Sequence, residues 1–389
     1  IVDPDLPDLD WIGAGVWVHA PKYWSDWTTS VLAFEKHSLM IEDLAPFPEP
    51  KRHVTTPGAD YFLYGCRAAL DTINEWYYDD SEGYLYVYRP EGKLPEAPYY
   101  IKRRNLALDL SGLSYIRISD IDIYAATVIT DSRSENVVLD GMEILYPYHS
   151  SEANRHYSSP AGTGVMIMGQ NCEVRNCEIA YSAASGIVLG GQYNLVYNCY
   201  IHDTDYLGTY ASCVTLRGKG NIISHCTLCR SGRSMIDYGG MQKALIQFCD
   251  MYHSGMLTSD NGLTYGNVIE GDGTEVRYNW MHDNLAPHIN IGLYYDHGTQ
   301  NILSHHNVVW GVSFSRFHIN HYAQYHLAYH NTFTSGEHGF RSDWGNQYLP
   351  DLHGSRFFNN IFTRHSLTSA GDYAWGNNLQ NYSGLIDHK

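Results

Sequence analysis

Residues 276–282 read VRYNWMH, and the phrase recurs along the chain. VRNCEIA starts at Val174, VYNCYIH at Val196, ISHCTLC at Ile223 and LSHHNVV at Leu303. Anchored on the Asn or its substitute, the series runs Asp120, Gly141, Asn176, Asn198, His225, Phe248, Asn279, Asn307, Asn331 and Asn360. The gap is smallest, 21, between Asp120 and Gly141, and largest, 35, between Gly141 and Asn176. A constant minimum with variable additions describes a fixed unit carrying loops of changing length. Helical repeats of this period would place apolar residues at i, i+3 and i+4. Here the units show ALDL, YIRIS, VMIMG, GIVLGG and CVTLRG, which alternate with period two and break at Gly, Asn and Ser. That is the signature of short strands.

Short strands, no hairpin turns and no helices predict an all-β chain folded as a parallel β-helix. Each repeat is one coil of about three strands, and coils stack at the interstrand spacing of about 4.8 Å. The recurrent Asn is expected at a bend, where it tolerates left-handed backbone and bonds to the coils above and below. The next position carries Cys177, Cys199, Cys226 and Cys249, then Trp280 and Val308, and is expected to point inward. Thiols stacked in one column are poorly oriented for disulfides, so free buried cysteines are expected. About ten coils are expected, in residues 101–389. Residues 1–100 are richer in Pro and lack the ladder. They are expected to form a β-rich cap region, with a hairpin from Glu75 to Arg89, covering the open first coil.

Composition narrows the function. Hydrophobic residues are 44% and charged residues 17%, which describes a globular chain. The net charge of −17 argues against nucleic acid as a partner. No apolar run reaches the roughly 18–20 residues of a membrane span. The chain starts at Ile1 rather than Met, as expected of a processed, secreted or periplasmic protein. The 33 Tyr and 9 Trp suit sugar faces, and equally suit sheet packing. There is no GxSxG, Walker loop, HExxH or dinucleotide fingerprint.

The stretch NEWYYDDSEGYLYVYRPEG, followed by the ladder and by SDNGLTYG, GTEVRYNWMHDN and GLYYDHGTQNILSHHNVVWG, resembles right-handed parallel β-helix carbohydrate-active enzymes. Among them are the β-xylosidase and α-fucosidase families of glycoside hydrolases. The resemblance spans most of residues 60–345. It implies a right-handed stack and a glycan substrate, and it points to Asp260 in DNGLTYG and Asp296 in YYDHG as site carboxylates. The same scaffold also carries lyases, epimerases and tailspikes, so it does not fix the reaction.

Aligning the strand after each variable loop gives GVMIMG, GIVLGG, CVTLRG, MIDYGG, GLTYGN, GLYYDH, FHINHY and GFRSDW. Val165, Ile187, Val214, Ile236, Leu263, Leu293 and Phe340 fall on the inward face; His318 is also placed inward. The outward positions change from Met166 and Val188 to Arg217, Asp237, Tyr294, Asp296, His321, Arg341 and Asp343. Loops entering one side of this strip add Asp203, Asp205, Asp260 and His288 and are expected to wall a cleft. Glycoside hydrolysis needs two carboxyl groups, one as proton donor and one as base or nucleophile. Asp296, Asp260 and Asp237 are the candidates, and the partner of Asp296 is left open between Asp237 and Asp260. His321, Arg217, Tyr294, Arg341, Asp343 and His288 are the candidate substrate-binding residues. His321 is expected one coil from Asp296 in the same column. No cofactor or structural metal is expected. Asp120 with Asp122 and Asp203 with Asp205 are the pairs a Ca²⁺ ion would use, although Ca²⁺ takes six to eight oxygens. A lyase or epimerase acting on uronates, and a non-catalytic glycan binder, are the competing functions.

Overall fold

The computed structural model describes residues 1–19, 24–42, 57–90, 98–151, 164–334, 338–342, 352–362, 365–366 and 374–378. From Leu106 onward the chain repeats strand, bend, strand, bend, strand, loop. This produces three parallel sheets of eleven, eleven and ten strands. The first sheet runs from Leu106–Asp109 through Ser212–Lys219, Ser234–Gln242, Asn261–Gly266, Asn290–Tyr295, Ser315–Ile319 and His338–Arg341 to His365–Ser366. Alternation holds for Val165, Ile187, Val214, Ile236, Leu293 and Phe340, which lie in one continuous apolar core; Leu263 joins that core although Thr264 is the residue paired with Ile236 and Leu293.

Three corners turn each coil, and left-handed residues stack at each. One corner column runs Tyr193, Gly220 and Lys243; another runs Asp203, Arg230, His253 and Asp283. The remaining column contains Asp120, Gly141, Asn176, Asn198, His225 and Phe248, as the repeat predicts, and then Tyr278, His306, His330 and Asn359. This differs from the expected series. Strand pairing sets Gln247 beside Arg277 and Asp250 beside Trp280, so Tyr278 continues the bend and Asn279 continues the cysteine column. Asn279, Asn307, Asn331 and Asn360 are therefore interior residues, and Trp280 and Val308 do not extend the thiol ladder.

The reason is hydrogen bonding. Beside each bend a backbone N–H points into the core and needs an acceptor. Asn307 Oδ1 accepts from Asn279 N at 3.1 Å and from Asn279 Nδ2 at 3.0 Å. Its own Nδ2 donates to Val276 O at 2.8 Å and to Asn331 Oδ1 at 3.0 Å. The pattern repeats through Asn331, Asn360 and Asn378. Lower in the stack Cys177, Cys199, Cys226 and Cys249 occupy the column as buried free thiols. Asn198 faces outward and donates to Asn176 Oδ1 at 2.8 Å.

The N-terminal region forms a four-stranded sheet containing Gly15–Val18, Trp27–Glu35, Ser38–Ile41 and Tyr61–Tyr64, with its own apolar core. The expected hairpin pairs Trp76–Asp79 with Tyr84–Val87. Contacts tying the sheet to the stack include Tyr64 Oη donating to Ser151 O at 2.6 Å. Trp17 Nε1 donates to Leu207 O at 2.9 Å, and Asp26 N donates to Gly208 O at 2.6 Å.

Asn307→Ala deletes four buried hydrogen bonds and is expected to cost roughly 2–4 kcal/mol. Asn198→Gly keeps the left-handed corner and loses one exposed bond; it should cost under about 1 kcal/mol. Urea unfolding midpoints of the two variants check the assignment of interior and exterior columns.

Candidate functional site

Strand register builds the site. On the outer face of the first sheet, Thr215, Asp237, Tyr265, Tyr294, His318 and Arg341 stand in one column on successive coils. Asp296 lies two residues beyond Tyr294 on the same wall. Asp237 and Asp296 thus share a wall, two coils apart, as the sequence suggests. Matching Gly262-Leu263 to Gly292-Leu293 places the intervening row one residue out. The pairing sets Thr264 beside Leu293 and Tyr265 beside Tyr294, so Tyr265 separates the two aspartates.

Two further corrections follow from register. Tyr295 pairs with Ile319, which sets Asn320, not His321, beside Asp296. His321 stands beside His297, with His297 Nδ1 and His321 Nε2 2.6 Å apart. His318 faces outward, edge-on to Tyr294 at 5.3 Å between ring centroids, while Phe317 and Ile319 supply the core.

Asp296 accepts three hydrogen bonds. Asn320 Nδ2 donates to Oδ1 at 2.6 Å, His297 N to Oδ1 at 2.8 Å, and Tyr265 Oη to Oδ2 at 2.9 Å. Tyr210 Oη in turn donates to Tyr265 Oη at 2.6 Å. Burial first, then the nearby Asp296 charge, push the Tyr265 phenol well above its ordinary pKa, so it remains a neutral donor.

Asp237 is treated oppositely. Its carboxyl keeps a partly exposed edge, is otherwise enclosed by protein, and has no hydrogen-bond partner among the described residues. Desolvation pushes its pKa up to about 7, against the lowering effect of Arg233 and Arg217. Arg217 is half-buried beside it, and its Nε has no hydrogen-bond partner.

Asp260 lies on the loop entering the same wall, in left-handed backbone, and accepts from Tyr294 Oη at 3.2 Å. The structure therefore brings Asp237, Asp260 and Asp296 to one place, with Tyr294 between the last two. Tyr294 is fully buried there, packed with Tyr265, Tyr210, Ile289 and Phe314, and presents no open ring face. Arg341 lies over the Phe314 ring at 4.4 Å. His288 is exposed on the loop that ends at Ile289, at the rim. Burial, then the neighbouring His297, lower the pKa of His321 and favour its neutral form. Asp343 lies outside the described residues.

Asp203 and Asp205, named above for Ca²⁺, have separate partners. Asp203 is bound by Arg230, with Nη2 to Oδ2 at 2.6 Å, and by His202. Asp205 is fully buried, accepts from Thr209 N at 2.8 Å, and has its pKa raised to about 7 by burial. Asp120 and Asp122 are exposed on the stack's outer surface.

Four site residues escaped the sequence, Tyr210 on its variable loop among them. Tyr265 was hidden by the one-residue slip and Asn320 by the same slip one row on. Arg233, fully buried behind Asp237, precedes its strand in SGRSMIDYGG, where only an Arg among small residues hints at it.

The profile described as a right handed beta helix region matches residues 113–237 and 163–333, more than half of the chain, and the chain belongs to this family. No curated protein matches it. Among solved structures it is similar to the pectate lyase Pel9A, at 11% identity over 67% of this chain and 68% of that one, with a TM-score of 0.41. It is also similar to the periplasmic alginate epimerase AlgG, at 11% identity over 69% and 77%, with a TM-score of 0.39. A third is PfbA, a surface adhesin of Streptococcus pneumoniae, at 8% identity over 70% and 82%, with a TM-score of 0.38. Among the described residues no helix is long and apolar enough to cross a membrane.

The pKa values of Asp237 and Asp205 are raised from 3.8 to about 7, so the folded state holds protons that the unfolded chain releases. Stability contributed by these groups is therefore present below about pH 4 and falls as pH rises to about 7. Asp237→Asn and Asp205→Asn should each flatten that fall, by on the order of 2–4 kcal/mol. Urea unfolding across pH 4–8 measures it; a slope unchanged from wild type would remove the raised values.

Proposed function

We propose that this chain is a carbohydrate-active enzyme and, within that class, a secreted glycoside hydrolase. Asp237 is the general acid and Asp296 the base that activates water. The observation carrying this is the opposite treatment of two carboxyls on one wall. Asp237 is denied donors and holds its proton near neutral pH, as a proton donor must. Asp296 receives three donors and is fixed in place as an acceptor. Two coils separate them, about 9–10 Å along the stack, with an offset of about 6–7 Å along the strand, before side chains reach toward each other. That suits the inverting spacing of roughly 6.5–9.5 Å rather than the retaining value near 5 Å. Asp260, committed to Tyr294, is assigned a supporting role. The mechanism as proposed uses no metal or cofactor. Xylosidase or fucosidase action is the finer form of the proposal, with residues 101–389 as the catalytic stack and residues 1–100 as its cap region.

A uronate lyase or epimerase is the second reading. Arg217, with an unpartnered Nε beside Asp237, suits a substrate carboxylate, and the lowered pKa of His321 suits a base. Digestion of xylan, fucosylated and uronate glycans separates the two. Hydrolysis yields reducing ends with inverted anomeric configuration by NMR; lyase action yields absorbance near about 235 nm from the unsaturated product. Asp296→Asn and Asp237→Asn are each expected to lower turnover by about 10³-fold or more, with Tm close to wild type for Asp296→Asn. Full activity in Asp296→Asn would remove it from the mechanism. A wild type silent on every glycan it binds would favour a binding protein.

A further inference from the structure

The paired-carboxyl mechanism leaves the N-terminal β region without a role, yet beside the bond from Tyr64 Oη to Ser151 O at 2.6 Å, on an early coil, three of its contacts reach loops of the site. Trp17 and Asp26 bond to Leu207 and Gly208, in the loop that carries Tyr210. A third contact is to Arg233, whose Nη1 donates to Trp24 O at 2.7 Å. Arg233 Nη1 also reaches Ser259 O at 3.4 Å, and Nη2 donates to Asp260 O at 3.1 Å. Every hydrogen-bond acceptor of this guanidinium is a backbone carbonyl, and Nε has no partner. Among the described residues no ion pair neutralises it.

A buried cation held only by carbonyls keeps its field for its surroundings. The guanidinium carbon lies 4.2 Å from the Tyr210 ring centroid and 4.9 Å from that of Tyr265, within cation–π range of both. The titratable groups feeling its charge are Asp205, Asp237, Asp260, Tyr210 and Tyr265. Arg217 is the other cation facing Asp237.

We infer that the N-terminal β region is a working wall of the site. Through the Trp24 carbonyl it seats the Arg233 guanidinium against Tyr210 and Tyr265, and Arg233 is the positioning residue for the Tyr210–Tyr265–Asp296 chain and for Asp237. The turnover arm of the test rests on the hydrolase proposal; the titration arm does not.

The test uses the full chain and three variants. Arg233→Lys keeps the charge but cannot fork across three carbonyls while lying over two rings. Arg233→Met removes the charge. Gly208→Ala works from the seam: Gly208 has φ +66, and a methyl there collides with the Asp26 carboxylate. It loosens the N-terminal contact without touching Asp237, Asp296 or Arg233. Carboxyl ¹³C NMR follows the Asp237 titration, with melting curves as the control for folding. Arg233→Met is expected to raise the Asp237 midpoint by about one unit. Arg233→Lys should leave that midpoint near wild type while lowering kcat roughly tenfold at similar KM. Gly208→Ala should shift the Asp237 midpoint and lower kcat, with the stack still folded. If Gly208→Ala opens the seam, seen as faster hydrogen exchange over residues 15–35, and leaves both the midpoint and turnover unchanged, the N-terminal region is only a cover and the inference is overturned. Should Arg233→Met fail to fold, the other two variants decide. Should no glycan be cleaved, the midpoints still decide.

Discussion

The hydrogen bond between one coil and the next is the constraint on which this molecule depends. A strand paired in register fixes each residue directly over its counterpart one coil away. Asp237, Tyr265, Tyr294, His318 and Arg341 are distant in number and adjacent in space for this reason alone. The same constraint forces sharp corners, which the chain meets by placing residues in left-handed backbone in three stacked columns. The bend between the second and third sheets keeps a constant length, and variation falls at the other two corners, most often where loops enter the first sheet. The site's parts come from both sources: carboxyls from the rigid wall, and Tyr210, Arg233 and Asp260 from the loops.

The wall alone does not explain the chemistry. Asp237 and Asp296 have the same side chain, sheet and face. What separates them is who else arrives. Asn320, one coil above Asp296, and Tyr265, one coil below, both turn donors toward it. Beside Asp237 stand Thr215 and the Tyr265 stem, and no donor reaches its oxygens. Arginines at a distance temper its burial without quenching it. Different hydrogen bonding of chemically identical groups thus follows from a one-coil difference in neighbours, and only Asp237 is left to the raising effect of burial.

Period-two alternation makes the stack, the core face and the shared wall of Asp237 and Asp296 legible in the sequence. What misled was residue identity used as a ruler. Asn serves two purposes here: Asn176 and Asn198 accept left-handed backbone outside, whereas Asn279 and Asn307 supply amides inside. Aligning all of them slid the later coils by one. The core residues two positions past the inner column, Ile179, Ile201, Leu228, Met251, Met281 and Val309, keep the true register. The repeated Gly-Leu at Gly262 and Gly292 produced the same error and hid Tyr265. Arg233 is a different case, since its anchor at Trp24 is 209 residues away and no local pattern announces it.

The inner amides all point one way. Asn279 Nδ2 donates toward Asn307, Asn307 toward Asn331, Asn331 toward Asn360 and Asn360 toward Asn378. Their dipoles add, so the later half of the stack is electrically polar along its axis. It is also polar in assembly: each new coil brings the oxygen that the previous coil's amide is waiting for. A chain released from synthesis up to Asn331 carries a dangling N–H at its growing tip, quenched only when residues around Asn360 and then Asn378 close over it. A truncation before Asn378 would leave the Asn360 amide without the acceptor that Asn378 supplies.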